Sequence, residues 1–377
     1  MGQHEPDPAI SVPAVPLQLP CDTVIFDLPG IDPRPSRSSP ENAAEECSRL
    51  HQPSPSEALE LQASVTQSNP KHVLTFDVGG SHVSSGLCRL SDLQLLSTAR
   101  ESLHNIHSFS EFIDLLHRLG LRAGNGEPSI TGAALAVPGP FDHDAGVSLM
   151  QHKLQYLYQQ DLRSALAARF GWQPQQVRFL NDAAAYLLGE IGAGAALGAE
   201  RAVGITLGTG IGSAFAAHGR HLTSGPGVPP GGEIWNYPYA GATVEDLLST
   251  RRLQTDYAAL AGPNAAPREV AAIAASAPVD DHARQVFSLF GTHLGQVLRD
   301  VIAPFHPGIV VIGGGISRSA SLFLPAAQAE IRGLGFRVVP STLLDRAPLV
   351  GAAHFWREES TQVQTTSPLQ PSTAGLH

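Results

Sequence analysis

A strand, a tight glycine turn and a second strand occur twice in this chain, as "HVLTFDVGGSHVSSGLCRL" (His72 to Leu90) and "AVGITLGTGIGSAFAAHGRHL" (Ala202 to Leu222). The β-rich flanks on either side of a turn-forming glycine pair mark each stretch as a hairpin. Between and after them come further apolar strands, "ITGAALAVPGP" (Ile130 to Pro140), "VRFLND" (Val177 to Asp182) and "GIVVIGGG" (Gly308 to Gly315). Helical stretches alternate with them. "DLRSALAARF" places Leu162, Ala165, Leu166 and Phe170 on one face, and "VFSLFGTHLGQVLRDVIAPF" reads as a long amphipathic helix. A hairpin opening each half of an alternating pattern predicts an α/β protein of two similar domains.

The ends differ from this body. Residues 1–70 hold 12 of the 30 prolines and are expected to be a disordered Pro/Ser-rich extension, except for the apolar run from Cys21 to Gly30, which suits docking on the body. The Ser/Thr/Gln/Pro-rich stretch 358–377 is expected to be a disordered tail. The formal charge of −10 argues against binding nucleic acid or anionic lipid as the main task. Cys21, Cys47 and Cys88 show no CxxC spacing, so neither a disulfide framework nor a cysteine zinc site is expected. A reducing cytoplasm fits this cysteine usage, and no stretch has the length of a membrane span.

Three glycine turns follow apolar strands: "DVGGSHV" (Asp77 to Val83), "LGTGIGS" (Leu207 to Ser213) and "IGGGIS" (Ile312 to Ser317). Glycine lets successive amides approach and point at an anion, although any one such turn is commonly only a turn. Three at strand ends in one chain favour a phosphate cradle. It is not a P-loop, because the GxxxxGK[ST] pattern is absent. Asn181 and Asp182 stand where the strand "VRFLND" meets the Ala-rich "AAAYLLGE". Either a helix cap or a catalytic carboxylate at a strand's carboxyl end accounts for them.

The order "DVGGSHV", "AVPGP", "NDAAAYLLGE", "LGTGIGS", "GGEI", "PHPGIVVIGGG", closed by "LVGAAHF", resembles the ROK family (repressors, open reading frames and sugar kinases) from Lys71 to Phe355. The resemblance implies an α/β, actin/hexokinase-like (ribonuclease H-like) two-domain ATPase fold with a cleft between the domains. The smaller domain would span 71–186, completed by a C-terminal helix near 343–357, and the larger 187–342. It further implies that Asp182 is the base that takes the sugar hydroxyl proton, with Asn181, Glu233 and Glu245 as sugar ligands. Asp77, Gly79, Gly80 and Ser81 match the first phosphate loop, with Mg²⁺ carried by ATP near Asp77. Gly208, Thr209 and Gly210 match the second phosphate loop, and Gly313, Gly314 and Gly315 the adenosine turn.

The pattern also departs from the family. Where many members carry a histidine and then a cysteine-rich zinc element, the stretch "GGEIWNYPYAGATVEDLLST" (Gly231 to Thr250) has no cysteine, so zinc is not expected. Asn236 stands at the histidine position; an amide still exchanges hydrogen bonds with a sugar hydroxyl but lacks imidazole's charge switch. Trp235 suits either stacking on a sugar or packing. Lys153, after "AVPGP", is equally a ligand contact or an exposed loop charge. The expectation is an ATP-dependent hexose kinase of carbohydrate metabolism, glucokinase-like and with a homodimer possible from the family. A sugar sensor, a transcriptional regulator and a polyphosphate-dependent glucokinase are the rivals.

Overall fold

The computed structural model describes residues 71–151, 153–262 and 268–366, the side chains of 362–366 excepted. The extension 1–70, with its Cys21–Gly30 run, and the last residues of the tail lie outside the described residues.

Two five-stranded sheets carry the fold. In the first lobe β1 (His72–Val78), β2 (His82–Arg89) and β3 (Gln94–Ser102) form an antiparallel meander. Parallel strands extend it: β4 (Ile130–Val137) beside β1, and β7 (Val177–Asn181) beside β4, with a short hairpin of β5 (Phe141–Asp142) and β6 (Val147–Ser148) between them in sequence. The sheet order is therefore β3-β2-β1-β4-β7. The second lobe repeats it with β8 (Arg201–Leu207), β9 (Ile211–Ala217), β10 (Arg220–Leu222), β13 (Ile309–Gly313) and β14 (Arg337–Pro340), in the order β10-β9-β8-β13-β14. A minor hairpin, β11 (Pro238–Tyr239) and β12 (Ala242–Thr243), lies in the stretch that has no zinc cysteines.

Side-chain alternation sets the layers. Leu74, Phe76, Val78, Ala133, Leu135 and Val137 pack outward against the helices Phe109–Gly124 and Leu162–Phe170. Their neighbours Val73, Ala134 and Ala136 point the other way, into a central layer shared with Ala202, Ala214, Ala216, Ile309 and Val311 of the second sheet. On the far side Val203, Ile205, Val310 and Ile312 meet the helices Asp281–Val297 and Ala320–Glu330. A strand buried on both faces reads as a continuous apolar run, which is why these segments were legible as strands. The long helix expected before β13 is present, but after Val297 it loosens into a π turn over Leu298–Ile302 and a 3₁₀ turn over Ala303–Phe305.

The central layer consists of two helices, Asp182–Ala193 and Ala347–Thr366. They cross at backbone contact. A Cβ added at Gly351 would overlap the Ala185 carbonyl oxygen, and one at Gly189 would overlap the Ala347 carbonyl oxygen. The first helix is continuous through Tyr186, so the boundary expected at 186/187 falls within it. The second runs on to Thr366, past the expected start of the tail at 358. Arg178 holds that extension, stacking on Trp356, pairing with Glu359 at 3.6 Å and donating to Ser360 Oγ at 3.1 Å. Glu190, fully buried, closes the layer: its carboxylate accepts from Ser341 Oγ, Leu343 N (3.1 Å), Thr342 Oγ1 (3.3 Å) and Ala195 N (2.7 Å).

Candidate active site

β7 ends at Asn181 and a helix starts at Asp182, and the local hydrogen bonds divide the two side chains' roles. Asn181 Oδ1 accepts from Ala183 N (2.9 Å) and Ala184 N (3.1 Å), so Asn181 is the cap. Its oxygen is used inward, and its amide NH₂ is the end it can offer a ligand. Asp182 is the first helical residue; one oxygen takes the Ala183 N–H at 2.9 Å and the carboxylate remains available to a substrate.

A cavity of about 310 Å³ collects Asp77, Gly79, Ser81, Asp182 and Gly314, together with Arg100, Tyr186, Thr206 and Asp345. Asp77 is the penultimate residue of β1 and Asp182 follows β7, two strands away across β4, so both carboxylates sit at the carboxyl edge of the parallel strands. Burial, and secondly the charge of Asp182, push the Asp77 carboxyl up to about 7, against the pull of Arg100. Burial also raises Asp182; the Ala183 N–H and the Lys153 ammonium oppose it without overcoming it. Lys153 is exposed and is not among the residues lining the cavity, so it reaches Asp182 through its field.

The second glycine turn closes on itself through Gly208 N to Gly210 O at 2.9 Å. Glu245 is brought to it: its Oε2 accepts from Ile211 N at 3.1 Å, and a Cβ on Gly210 would overlap this carboxylate. Thr209 at the tip is exposed. Glu233 and Asn236 lie on the following loop, both exposed, and Trp235 Nε1 donates to Glu233 Oε2 at 2.8 Å. Trp235, 45% exposed, is therefore not a packing residue. The loop is tied to the second turn twice. Ser213 Oγ donates to Gly232 O (2.8 Å) and accepts from Ile234 N (3.1 Å), while Glu245 N donates to Trp235 O (3.1 Å). In place of metal ligands, Tyr239 Oη donates to Asp300 Oδ2 at 2.6 Å and Thr243 with Asp246 forms a capping box.

The third turn has a packing reason as well as an open face. Gly313 lies against the Tyr186 ring, and Gly314, at φ +78°, lies against the backbone of Leu207, so side chains are excluded from both. At Gly80 and Gly315 an added Cβ would meet no protein atom. Backbone amides on free ground beside half-buried carboxylates suit a nucleotide's phosphates. Among the described residues no group of three His, Cys, Asp or Glu could hold a metal ion. Asp77, a half-buried carboxylate lining the cavity, is the kind of ligand that shares Mg²⁺ with phosphate oxygens.

Sequence reasoning missed Arg100, Thr206, Tyr186 and Asp345 as cavity residues and Ser213 as the anchor of the sugar loop. Ser213 had a signal, being a serine buried in an apolar strand next to a glycine turn. Arg100 had none within its own segment.

Comparison with known proteins agrees with this geometry. The Thermotoga maritima glucokinase is 28% identical over 317 residues, covering 75% of this chain and 96% of that protein. The ROK hexokinase from Thermus thermophilus superposes with a TM-score of 0.65 at 24% identity, over 77% of this chain and 99% of that one. A ROK family glucokinase from Streptomyces griseus, solved with glucose and AMPPNP, superposes at 0.60 with 21% identity, over 75% and 98% of the two chains. These superpositions identify the duplicated sheets and their cleft as the actin/hexokinase-like fold. The ROK family profile matches residues 73–359, so with the motif order, the duplicated fold and the cavity in agreement, the chain belongs to the ROK family.

Proposed function

We propose that this protein is a sugar kinase that transfers the γ-phosphoryl group of ATP to a hexose hydroxyl, the 6-hydroxyl of glucose or of a related sugar, with Asp182 as general base. One observation carries the reading: the cap of the helix is Asn181, which leaves the Asp182 carboxylate available in a cavity shared with Asp77 and with residues of the first and third glycine turns, Gly79, Ser81 and Gly314. Bound ATP·Mg²⁺ supplies the phosphoryl group and the metal charge that compensates its oxygens.

The chain's own residues do the rest. Backbone at Gly79, Gly80 and Ser81 and at Gly208, Thr209 and Gly210 positions the phosphates, and the turn Gly313–Gly315 borders the nucleoside. The Asn181 amide, Glu233, Asn236 and Glu245 orient the sugar, with Lys153 bordering its site. As the sugar oxygen bonds to phosphorus, the bond to the departing ADP oxygen breaks and the hydroxyl proton passes to Asp182. Asp182, raised by burial, is the more willing acceptor. Glucokinase activity in the Thermotoga relative supports the hexose assignment. Among the described residues no helix is long and apolar enough to cross a membrane.

Incubation of the purified chain with ATP·Mg²⁺ and a panel of hexoses, N-acetylhexosamines and β-glucosides, with ADP release as readout, tests the reading. ADP formed only with sugar supports it. Sugar binding without turnover would establish a sensor, which Asn236 in place of the family histidine makes the second reading. Turnover with polyphosphate and not ATP would change the donor.

A further inference from the structure

We propose that Arg100 is a donor-phosphate ligand, its guanidinium binding terminal phosphoryl oxygens across the cavity from Asp77. The inference rests on the phosphoryl-transfer reading of the cleft and adds a residue that no glycine turn contains.

Register places it there. Asp77 on β1 lies directly opposite Ser84 on β2, and Ser84 directly opposite Arg100 on β3. Residues paired in this way project from one face of a sheet, as successive rungs. The core shows which face. Val83 and Ala99, the residues before Ser84 and Arg100, pack in the outer layer, while Val73, four residues before Asp77, packs in the central one. Asp77, Ser84 and Arg100 therefore share the face that looks towards the second lobe, and all three line the same cavity. With strands about 4.8 Å apart, the Cα atoms of Asp77 and Arg100 stand about 10 Å apart, which leaves room for a phosphate group between carboxylate and guanidinium.

Charge points the same way. Arg100 is the only Lys or Arg lining this cavity, and the carboxylates lining it are Asp77, Asp182 and Asp345. Arg318 already holds Asp345 at 2.8 Å, and the adjacent Glu101 is held by Arg118 and Arg122. Arg100 itself makes no ion pair among the described residues. An exposed arginine with no ion pair among the described residues, lining a cavity of acids bordered by Gly79 and Gly314, is matched in charge and in its planar fork to a polyphosphate anion.

The test uses the full chain as wild type, Arg100→Met and Arg100→Lys, with Mg²⁺ and three probes: ATP, tripolyphosphate and adenosine. Binding is read by calorimetry, and turnover with the best sugar of the panel by ADP release. Arg100→Met is expected to weaken ATP and tripolyphosphate by about tenfold or more and to leave adenosine within about twofold, with Lys recovering part of the loss. Turnover efficiency falls by about a hundredfold or more in Arg100→Met. Wild-type affinity and turnover in Arg100→Met overturn the proposal, as does an equal loss of adenosine and ATP. Phosphate binding that depends on Arg100 in a chain that phosphorylates no sugar sinks the kinase reading alone. A wild-type chain that binds neither ATP nor tripolyphosphate sinks both.

Discussion

Asp77 and Asp182 line one cavity from the ends of β1 and β7, and burial, then the Asp182 charge, hold Asp77 at about 7 instead of 3.8. Between those two values the folded state binds a proton that the unfolded chain has released. Stability therefore falls as pH rises from about 4 to about 7 and levels off above. Asp77→Asn removes this penalty. The variant is expected to melt higher than wild type at pH 8 in the absence of Mg²⁺ and nucleotide, by on the order of 2 kcal/mol, with the difference vanishing below pH 4. Thermal melts across that range check it, and a difference independent of pH would contradict the coupling.

Asp182→Asn keeps the shape of the helix start and removes the base. Turnover is expected to fall by about 10² to 10⁴-fold while sugar affinity stays within a few-fold, measured by steady-state kinetics and direct binding. Because burial raises Asp182, the wild-type rate should drop on its acid side at a pH above the ordinary carboxylate range. An acid limb at the ordinary value would point to a different base.

Trp235→Phe removes the Nε1 donor that steadies Glu233 and keeps a ring in place. The expected outcome is a rise of roughly threefold to tenfold in KM for the sugar with kcat nearly unchanged, from a charge-assisted bond of about 1 kcal/mol. Equal loss in both parameters would instead assign Trp235 to the transition state.

The crossing of the two central helices makes a stability prediction. Gly351→Ala drives a methyl group into the Ala185 carbonyl and should destabilise the protein by roughly 2–4 kcal/mol, read from urea denaturation. Glu190→Gln should give a loss of about 2–3 kcal/mol, because its NH₂ group then faces one of the two backbone donors, Ala195 N or Leu343 N, which bond to different carboxylate oxygens.

What was legible in the sequence was local. Glycine turns sit directly after their strands and Asp182 directly after β7, so Asp77, Gly79, Asp182 and Gly314, which line the cavity, lie in runs of about ten residues that a sequence reading can single out, as it can the duplication that sets both sheets. Arg100 was not, because it reaches the site only through two rungs of strand register. Three of the four Glu190 bonds join residues more than 150 positions apart, and no local pattern announces them. The helix beyond Glu358 escaped for a related reason. Its Ser/Thr/Gln composition suggests disorder, and the cation that secures it, Arg178, lies in a strand.

The helix Ala347–Thr366 has a consequence for biosynthesis. It covers β1 and β4 with Val350, Ala353 and Trp356, so the sheet that is translated first receives its inner lining last. A ribosome-bound chain lacking this segment presents Val73, Ala134 and Ala136 without their cover, and the N-terminal lobe is completed only once the closing helix has left the exit tunnel. A stop codon before residue 347 thus removes more than a tail: it strips one of the two helices from the layer that both lobes share.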